Sequence, residues 1–242
     1  MKKKLFVVSD VHGHYTEMID ALDRSGFQTE NEGHVFLSCG DLFDRGNENL
    51  QVYDFVRSLP RKILIKGNHE DMLLNALKLG KITDLEQRNG TDVTITQLLG
   101  QGAVDANGCF DTSKYAFRIG EIIEFIQAMS DFYETQHYVF VHGWLPVTVV
   151  GKSPYINRSW RTDSLSEWEN ARWLEWQQLY SVGATLQGKT IVCGHRPARL
   201  GYMFDSLREP DCSEPFYGDG MIAMDAGTVN SGRVNVLEFE NV

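Results

Sequence analysis

The amino-acid sequence predicts an α/β fold in which strands and helices alternate along the chain. Three short apolar runs rich in β-branched residues, at residues 4–9, 34–39 and 61–65, have the pattern of buried strands. Between them, residues 15–25 and 49–58 carry apolar side chains at helical spacing. Because successive strand–helix units favour parallel strands with helices packed on their faces, the sheet is predicted to be largely parallel.

The strand pattern fades after the third strand, and a mostly helical insertion is predicted at about residues 71–131. Leu73 and Leu77 lie on one face of a predicted helix, and residues 94–99 and 117–129 have the same periodicity. Several glycines between these segments mark loops. The insertion is therefore expected to form a helical cap on the sheet.

Strands return after the insertion. Residues 138–141 and 190–193 have the pattern of buried strands, and residues 164–179 between them predict one helix rich in Trp. Near the end of the chain, residues 222–224 and 233–238 predict two further strands. We expect these two strands to pair as a hairpin across the intervening turn.

Length and composition limit the classes of protein that this chain can represent. With 242 residues and 42 % hydrophobic side chains, it is expected to form one domain over residues 1–242. The 33 acidic and 23 basic side chains give a net charge of −10, which opposes binding to nucleic acid or anionic lipid. The sequence has no apolar run long enough to span a membrane.

The cysteines and the N-terminus point to a cytoplasmic location. The four cysteines are irregularly spaced and form no C-x-x-C pair, which favours free thiols in a reducing compartment. The basic N-terminus precedes an apolar run that is too short for a signal peptide and ends at Ser9-Asp10. The oligomeric state is left open.

Polar side chains follow five of the predicted strands, at the point where each strand ends. Because the carboxyl ends of strands in an open α/β sheet meet at one crevice, these side chains are expected to lie together at a ligand site. A lone Asp after a strand usually caps a turn, and a lone His is usually a core residue, but five such coincidences are improbable. The groups are Asp10 and His12, Asp41 to Arg45, Asn68 and His69, His142, and His195.

Oxygen and nitrogen ligands of this kind suit borderline divalent metal ions. We expect two ions, with Mn²⁺ preferred and Fe, Zn or Mg as alternatives. Two ions about 3.5–4 Å apart can share a water, lower its pKa and hold a phosphoryl group for in-line displacement. The expected ligands are Asp10 and His12 on one ion, Asn68, His142 and His195 on the other, and Asp41 bridging the two.

Three further residues on the same loops suit the remaining chemistry. Arg45 can donate two hydrogen bonds to phosphoryl oxygens and stabilise the charge that develops there. His69 follows an expected ligand but faces elsewhere, so it is a candidate general acid for the leaving oxygen. Asp44 can orient His69 through a hydrogen bond, although capping of the next helix is the alternative.

The sequence resembles the calcineurin-like metallophosphoesterases, in particular the phosphoprotein-phosphatase branch. The resemblance is strong over residues 1–75 and continues in order, though less densely, from residue 138 to the end. It is carried by Asp10-Val-His12-Gly13, by Gly40-Asp41-Leu-Phe-Asp44-Arg45-Gly46, by Gly67-Asn68-His69-Glu70, and by the later Val-His142-Gly and Gly194-His195.

The resemblance implies a four-layer sandwich of two mixed β-sheets flanked by helices, together with the metal and acid roles given above. Within this branch the expected activity is hydrolysis of phosphomonoesters by a bacterial-type serine/threonine protein phosphatase. The alternative is a symmetrical diadenosine tetraphosphate hydrolase, acting on nucleoside polyphosphates. A non-catalytic phosphate-binding module is a third reading, but such a module would normally lose a metal ligand or the acid histidine, and none is missing.

Relatives in this branch carry a second phosphate-binding Arg near a Trp, and no residue aligns with it cleanly here. Arg172 is the first candidate, with Arg158 and Arg161 behind it, and Arg196 would add positive charge beside the metal ions. Trp173 and Trp176, three residues apart, are expected to pack on one helix face.

The shape of the site is expected to separate the two substrate classes. A shallow open groove would favour a phosphoprotein. A closed pocket roofed by the 71–131 insertion, with Arg196 or Arg199 directed inward, would favour a nucleotide.

Overall fold

The computed structural model describes residues 3–151 and 153–240. The strands are β1 (Lys4–Val8), β2 (His34–Ser38), β3 (Lys62–Leu64), β4 (Tyr133–Glu134), β5 (Tyr138–Phe140), β6 (Val147–Val150), β7 (Ser153–Ile156), β8 (Thr190–Cys193), β9 (Phe216–Gly218), β10 (Met221–Ala223) and β11 (Leu237–Glu240). The helices are α1 (Tyr15–Arg24), α2 (Asn49–Ser58), α3 (Asn68–Leu79), α4 (Asp84–Arg88), α5 (Thr91–Leu99), α6 (Ala116–Gln127), α7 (Leu165–Ala171), α8 (Trp176–Ser181) and α9 (Thr228–Ser231).

Two mixed sheets form the centre of the molecule. The first has the order β11-β1-β2-β3, with β1, β2 and β3 parallel and β11 antiparallel to β1. The second has the order β4-β5-β8-β10-β9, with a parallel core of β5, β8 and β10 and antiparallel strands at both edges. Strands β6 and β7 form a separate hairpin.

Alternating side chains of the strands build a four-layer arrangement. Val7 of β1 and Leu37 of β2 pack with Phe140 of β5 and Val192 of β8 in one apolar cluster, so the two sheets face each other. The opposite faces of the sheets pack separately, the first against α1, α2, α3, α5 and α6, the second against the Trp-rich segment. The expected sandwich of two mixed sheets flanked by helices is confirmed.

The insertion is helical, as predicted. It consists of α3, α4, α5 and α6, and its first helix already begins at Asn68, three residues before the predicted boundary. Within residues 3–151 and 153–240, no helix has both the length and the apolar character that crossing a bilayer requires.

The predicted Trp-rich helix at residues 164–179 is broken into α7 and α8. The break falls at residues 172–175, where Arg172 ends α7. Its guanidinium donates hydrogen bonds to Asp71 and Asp131, which lie outside the helix pair. This tertiary pairing redirects the chain, which helical periodicity alone cannot show.

The predicted C-terminal hairpin is wrong. Strand β10 pairs with β8 and β9, whereas β11 crosses to the other sheet and pairs with β1. The intervening segment is the short helix α9, bounded by Gly227 at φ 65° and Gly232 at φ 61°. Because both glycines adopt a left-handed backbone, the chain turns away on each side of α9 and does not fold back on itself.

Candidate metal centre and active site

The carboxyl ends of both sheets meet at one edge of the molecule. Asp10 follows β1, Asp41 follows β2, and Asn68 begins α3 just after β3. From the second sheet, His142 follows β5 and His195 follows β8. All but His195 are buried, so the two sheets deliver a cluster of polar groups to a place where water is scarce.

The backbone of these strand ends is strained. In residues 3–151 and 153–240, six residues other than glycine have a positive φ, and all six belong to the predicted site. A positive φ costs L-residues free energy and persists where the surroundings enforce it, often at functional sites. The six are Asp10, His12, Asp41, Asp44, Arg45 and His195, with φ between 49° and 72°.

Two glycines let the backbone approach the carboxylates closely. A Cβ on Gly67 would lie 2.2 Å from Asp41 Oδ1, and one on Gly194 would lie 2.1 Å from Asp10 Oδ2. Both distances are far below van der Waals contact, and the obstructing atoms belong to short, buried side chains. Only glycine therefore fits at these two positions without displacing a proposed ligand.

Two groups of side chains with the donor atoms to hold a metal ion share Asp41. His12, Asp41 and His69 form the first, and Asp41, His142 and His195 form the second; within each, the donor atoms lie within 4.8 Å of one another. Asp41 Oδ2 lies 3.8 Å from His12 Nε2 and 3.3 Å from His142 Nε2. A shared carboxylate between two imidazole clusters has the connectivity of a bridging ligand.

The other two expected ligands border these groups. Asn68 Oδ1 lies 2.8 Å from His142 Nε2, inside the second group. Asp10 accepts hydrogen bonds from the main-chain N–H of His195, with both oxygens at 3.0 Å, and from Ser9. The structure thus brings all six expected ligands to one locality.

The carboxylates and imidazoles perturb one another strongly. Burial raises the pKa of Asp10 well above its usual value, and the nearby charge of Asp225 raises it further. Burial opposes ionisation of Asp41, but His142 and His69 hold its pKa well below the usual value. Burial alone would lower the pKa of His142, yet the charge of Asp41 outweighs it and raises the pKa to about 9.

Divalent cations fit this chemistry. Asp225 is a further buried carboxyl group near Asp10 and Asp41, and burial raises its pKa to about 6. Burial and the charge of His142 lower the pKa of His195 to about 3, which leaves a neutral imidazole as a donor. Buried carboxylates require a compensating positive charge, and carboxylate, amide and imidazole donors are those that divalent metals prefer.

Asp44 and His69 form a buried pair beside the expected metal ligands. His69 Nδ1 lies 2.8 Å from Asp44 Oδ2. Two hydroxyl groups from the insertion hold the carboxylate: Thr91 donates to Oδ2 at 2.9 Å, and Thr94 donates to Oδ1 at 2.6 Å. With both oxygens engaged, Asp44 can fix the orientation of the His69 ring.

Arg45 lies across the mouth of the site. Its Nη1 is 3.0 Å from His12 Nε2, and its Nη2 is 3.0 Å from His69 Nε2. On the outer side, Nη2 is 3.4 Å from Asn89 Oδ1 in the turn between α4 and α5. The guanidinium therefore joins the two strand-end loops to the insertion.

A pocket of about 390 Å³ opens onto these groups. Arg196, expected beside the metal ions, lines this pocket. The distance between Arg196 Nε and Glu175 Oε1 is 3.3 Å. Arg199 is exposed and does not line the pocket. The lining residues are His12, Arg45, Asn68, Asn89, Trp173, Glu175, His195, Arg196, Pro197, Asp225, Gly227, Thr228, Val229 and Asn230.

The expected role of Arg172 in substrate binding is contradicted by its position. Its side chain is 2 % exposed, and Nη1 donates to Asp71 Oδ2 at 2.6 Å while Nη2 donates to Asp131. Arg172 is buried against two carboxylates and does not line the pocket described above, so it is not placed to bind a phosphoryl group there. Arg161 pairs with Glu134 instead.

Trp173 also differs from expectation. Trp176 is buried and donates to the main-chain oxygen of Arg196, but Trp173 is 45 % exposed and lines the pocket. The two rings do not share a helix face because the break at 172–175 separates them.

Several site residues were missed at the level of sequence. Asp225 follows β10, so the strand-end argument that found the other ligands could have found it. Asn89, Thr91 and Thr94 give no comparable signal, because their place beside Asp44 and Arg45 depends on how the insertion folds over the sheet.

The sequence model of the calcineurin-like phosphoesterases matches residues 3–221. The chain therefore belongs to this family.

The names of similar proteins fall into two groups by the substrate that the name gives. The chain is 34 % identical over 76 residues to serine/threonine-protein phosphatase 2 of Salmonella typhimurium, covering 31 % of this chain and 34 % of the relative. It is 35 % identical over 81 residues to the asymmetrical bis(5′-nucleosyl)-tetraphosphatase PrpE of Bacillus subtilis, covering 30 % and 33 %. A symmetrical bis(5′-nucleosyl)-tetraphosphatase of Erwinia tasmaniensis is 32 % identical over 111 residues, covering 42 % and 39 %. The matched segments thus span only about a third of the relatives' length.

Solved structures share the fold across nearly the whole chain. A candidate diadenosine tetraphosphatase superposes with a TM-score of 0.56 at 15 % identity, covering 98 % of this chain and 89 % of that one. A mutant of a cold-active protein tyrosine phosphatase gives 0.56 at 18 % identity, covering 99 % and 76 %.

Proposed function

We propose that this chain is a dinuclear-metal phosphoesterase that hydrolyses phosphate esters or anhydrides. The observation that carries the proposal is the pair of donor groups that share the Asp41 carboxylate. The proposed ligands are the six residues expected from the sequence, with Mn²⁺ as the preferred ion and Fe, Zn or Mg as alternatives. When bound, two such ions supply a nucleophilic water and Lewis-acid polarisation of the phosphoryl group.

The chain's own residues orient the substrate and move the proton. Arg45, exposed at the mouth of the site, is placed to donate two parallel hydrogen bonds to phosphoryl oxygens. His69 presents Nε2 towards the same space, from which it can protonate the leaving oxygen. Asp44 holds Nδ1 of His69, and Thr91 and Thr94 hold Asp44, so the acid is oriented before the substrate arrives.

Two substrate classes suit this centre. The first is a phosphomonoester in a protein, as expected for a bacterial-type serine/threonine protein phosphatase. The second is a nucleoside polyphosphate. The pocket favours the second class, because Asn89 of the insertion borders it on one side and Arg196 on another. A non-catalytic module is disfavoured, since the expected ligands and the His69–Asp44 pair are all present and assembled.

Replacement of the shared carboxylate tests the proposal. We expect Asp41→Asn to lose the two-ion stoichiometry and the Mn²⁺-dependent hydrolysis of p-nitrophenyl phosphate, because an amide is a poor bridge between cations. Bound metal is measured by elemental analysis after chelation and re-addition of Mn²⁺. Asp54→Asn, an exposed position on α2, is the matched control. Two bound ions and full turnover in Asp41→Asn would refute the bridging role.

A further inference from the structure

Trp173 is an exposed indole at the edge of the catalytic pocket. The other four tryptophans, at positions 144, 160, 168 and 176, are at most 3 % exposed, whereas Trp173 is 45 % exposed. Leaving a large aromatic surface in water forgoes the free energy of its burial. An aromatic ring left open on a pocket wall is available to contact a ligand.

The surrounding structure holds Trp173 in a defined position. Arg172, its neighbour, is buried and tied to Asp71 of α3 and to Asp131. On the other side, α8 begins at Trp176, which is fully buried. The exposed indole is therefore carried by a short segment that is anchored at both ends.

The indole lies next to a proposed metal ligand. The ring centroids of Trp173 and His195 are 6.0 Å apart, with an angle of 81° between the ring planes. The Trp173 ring is therefore close enough to contact the leaving group of a substrate whose phosphoryl group is bound at the proposed metal centre.

The charges of the pocket match a substrate with more than one phosphoryl group. Arg45 contacts His12 and His69 over the proposed metal centre, whereas Arg196 lines the pocket from the loop after β8, with its Nε 3.3 Å from Glu175 Oε1. A phosphomonoester presents one phosphoryl group, which Arg45 alone can bind. The Arg196 side chain is 41 % exposed and contacts Glu175 through Nε, so its Nη atoms are placed to donate to a second phosphoryl group of a polyphosphate chain.

An aromatic surface combined with two guanidinium groups is the complement of a nucleotide. Nucleobases stack on aromatic side chains, and this contact tolerates different bases because each has a π-face. The amides of Asn89 and Asn230, also on the pocket wall, can hydrogen-bond to base or ribose. A phosphoserine side chain has no ring to place against Trp173.

We propose that Trp173 is the stacking platform for the base of a nucleoside polyphosphate, and that this class is the substrate of the enzyme. The proposal rests on the phosphoesterase function proposed above. It adds that the pocket selects a nucleobase and that Trp173 is the residue that selects it.

Substrate selectivity provides the first test. The ratio of kcat/KM for diadenosine tetraphosphate to kcat/KM for inorganic tripolyphosphate, which lacks a ring, is measured with Mn²⁺. In Trp173→Ala we expect this ratio to fall by about 5- to 150-fold, the range for loss of one base–aromatic stack. Trp173→Phe, which keeps a ring, should retain most of it. Phe117→Ala, an exposed aromatic outside the pocket, should keep the wild-type ratio. An unchanged ratio in Trp173→Ala would overturn the proposal.

Binding without metal provides the second test. Indole N–H signals are followed by NMR while AMP is added to the chelated protein, and Trp173→Phe identifies the Trp173 signal by its loss. We expect the Trp173 signal to move and the four others to stay. Movement of no indole signal at saturating AMP would count against stacking.

The two proposals fail in different ways. If no phosphate compound is hydrolysed with any metal, the phosphoesterase function fails, yet the AMP titration still decides on Trp173. If tripolyphosphate and p-nitrophenyl phosphate are hydrolysed and the selectivity ratio is independent of Trp173, only the stacking proposal fails. Loss of phosphopeptide hydrolysis in Trp173→Ala with the nucleotide unaffected would also overturn it, in favour of a peptide subsite.

Discussion

At the scale of single residues, the contacts of His69 are compatible with two roles, that of a general acid and that of a metal ligand. It contacts Asp44 through Nδ1, as an oriented acid would, but it also stands with His12 and Asp41 in a group able to bind a metal ion. Its main-chain N–H donates to Asp41 Oδ1 at 3.0 Å, a contact that any side chain at position 69 preserves. Substitution of the ring can therefore separate the roles without removing the main-chain hydrogen bond to Asp41, the proposed bridging carboxylate.

We predict that His69→Asn keeps both metal ions and lowers turnover of alkyl phosphates by about 10²–10⁴-fold, the usual range for a lost general acid. The loss should be smaller for p-nitrophenyl phosphate, whose leaving group needs little protonation. Steady-state rates on both esters, together with metal content, are the measurements. An equal loss on both esters would contradict the acid role, and loss of one ion would assign His69 to the metal.

The site residues differ in how far the sequence reveals them. Asp10, Asp41 and His142 follow apolar strands directly, so a local pattern places each at a strand end and the parallel sheet brings the ends together. Thr94 contacts Asp44 across fifty residues of chain, and that contact exists only once α5 packs on α2 and α3. The first kind of residue is predictable from local periodicity; the second depends on tertiary packing.

Arg172 shows the same limit for a residue that was predicted. Its position beside a Trp suggested a phosphate ligand, but sequence does not tell which way a side chain points when a helix breaks. The partners that decide the direction, Asp71 and Asp131, lie in distant segments. The local sequence around position 172 would be the same whether the arginine were buried against two carboxylates or exposed at a pocket.

At the scale of elements, the ion pairs of Arg172 join α7 to α3 and to the loop before β4. The side chain is 2 % exposed, whereas the side chains of Asp71 and Asp131 are 22 % and 32 % exposed. Replacing Arg172 by an apolar residue would leave the carboxylates of Asp71 and Asp131 without their cationic partner. This junction also fixes the segment that carries Trp173, so its loss should affect both stability and the pocket.

We predict that Arg172→Met lowers the free energy of unfolding by about 3–5 kcal/mol near neutral pH, the cost of breaking a buried ion pair. Chemical denaturation of the variant and the wild type measures the difference. Arg158→Met, at an exposed position, is the matched control and should change stability little. A loss no greater than that of the control would show that the ion pairs do not hold the junction together.

The same variant should respond to pH in a defined direction. Burial raises the pKa of Asp71 from 3.8, and Arg172 opposes the rise. Without Arg172 the native pKa rises further, so the native state of the variant binds a proton more tightly than the unfolded chain. The contribution of Asp71 to the stability of the variant then falls as the pH rises above about 3.8. The difference in free energy of unfolding between wild type and variant should therefore be larger at pH 7 than at pH 4. A deficit that grows on acidification would contradict this assignment.

At the scale of the whole molecule, the proposed metal centre joins the two sheets. Asp10, Asp41 and Asn68 come from the sheet that contains β1, β2 and β3, and His142 and His195 come from the sheet that contains β5 and β8. The sheets also pack through an apolar cluster, which does not require metal. Ions bound between the strand ends would thus add a second connection to an interface that already exists.

We predict that Mn²⁺ stabilises the folded protein and protects both sheets together. An ion that binds only the native state at a thousand times its Kd adds about 4 kcal/mol, or a rise in Tm of about 8–16 °C for a domain of this size. Differential scanning calorimetry with Mn²⁺ and after chelation measures the rise, and hydrogen exchange locates it. Protection should increase at the carboxyl ends of β1 and β2 and, in the other sheet, of β5 and β8. Asp41→Asn should lose most of the rise, because the shared carboxylate is the proposed link between the ions. Protection confined to one sheet would show that the metal site does not bridge the two.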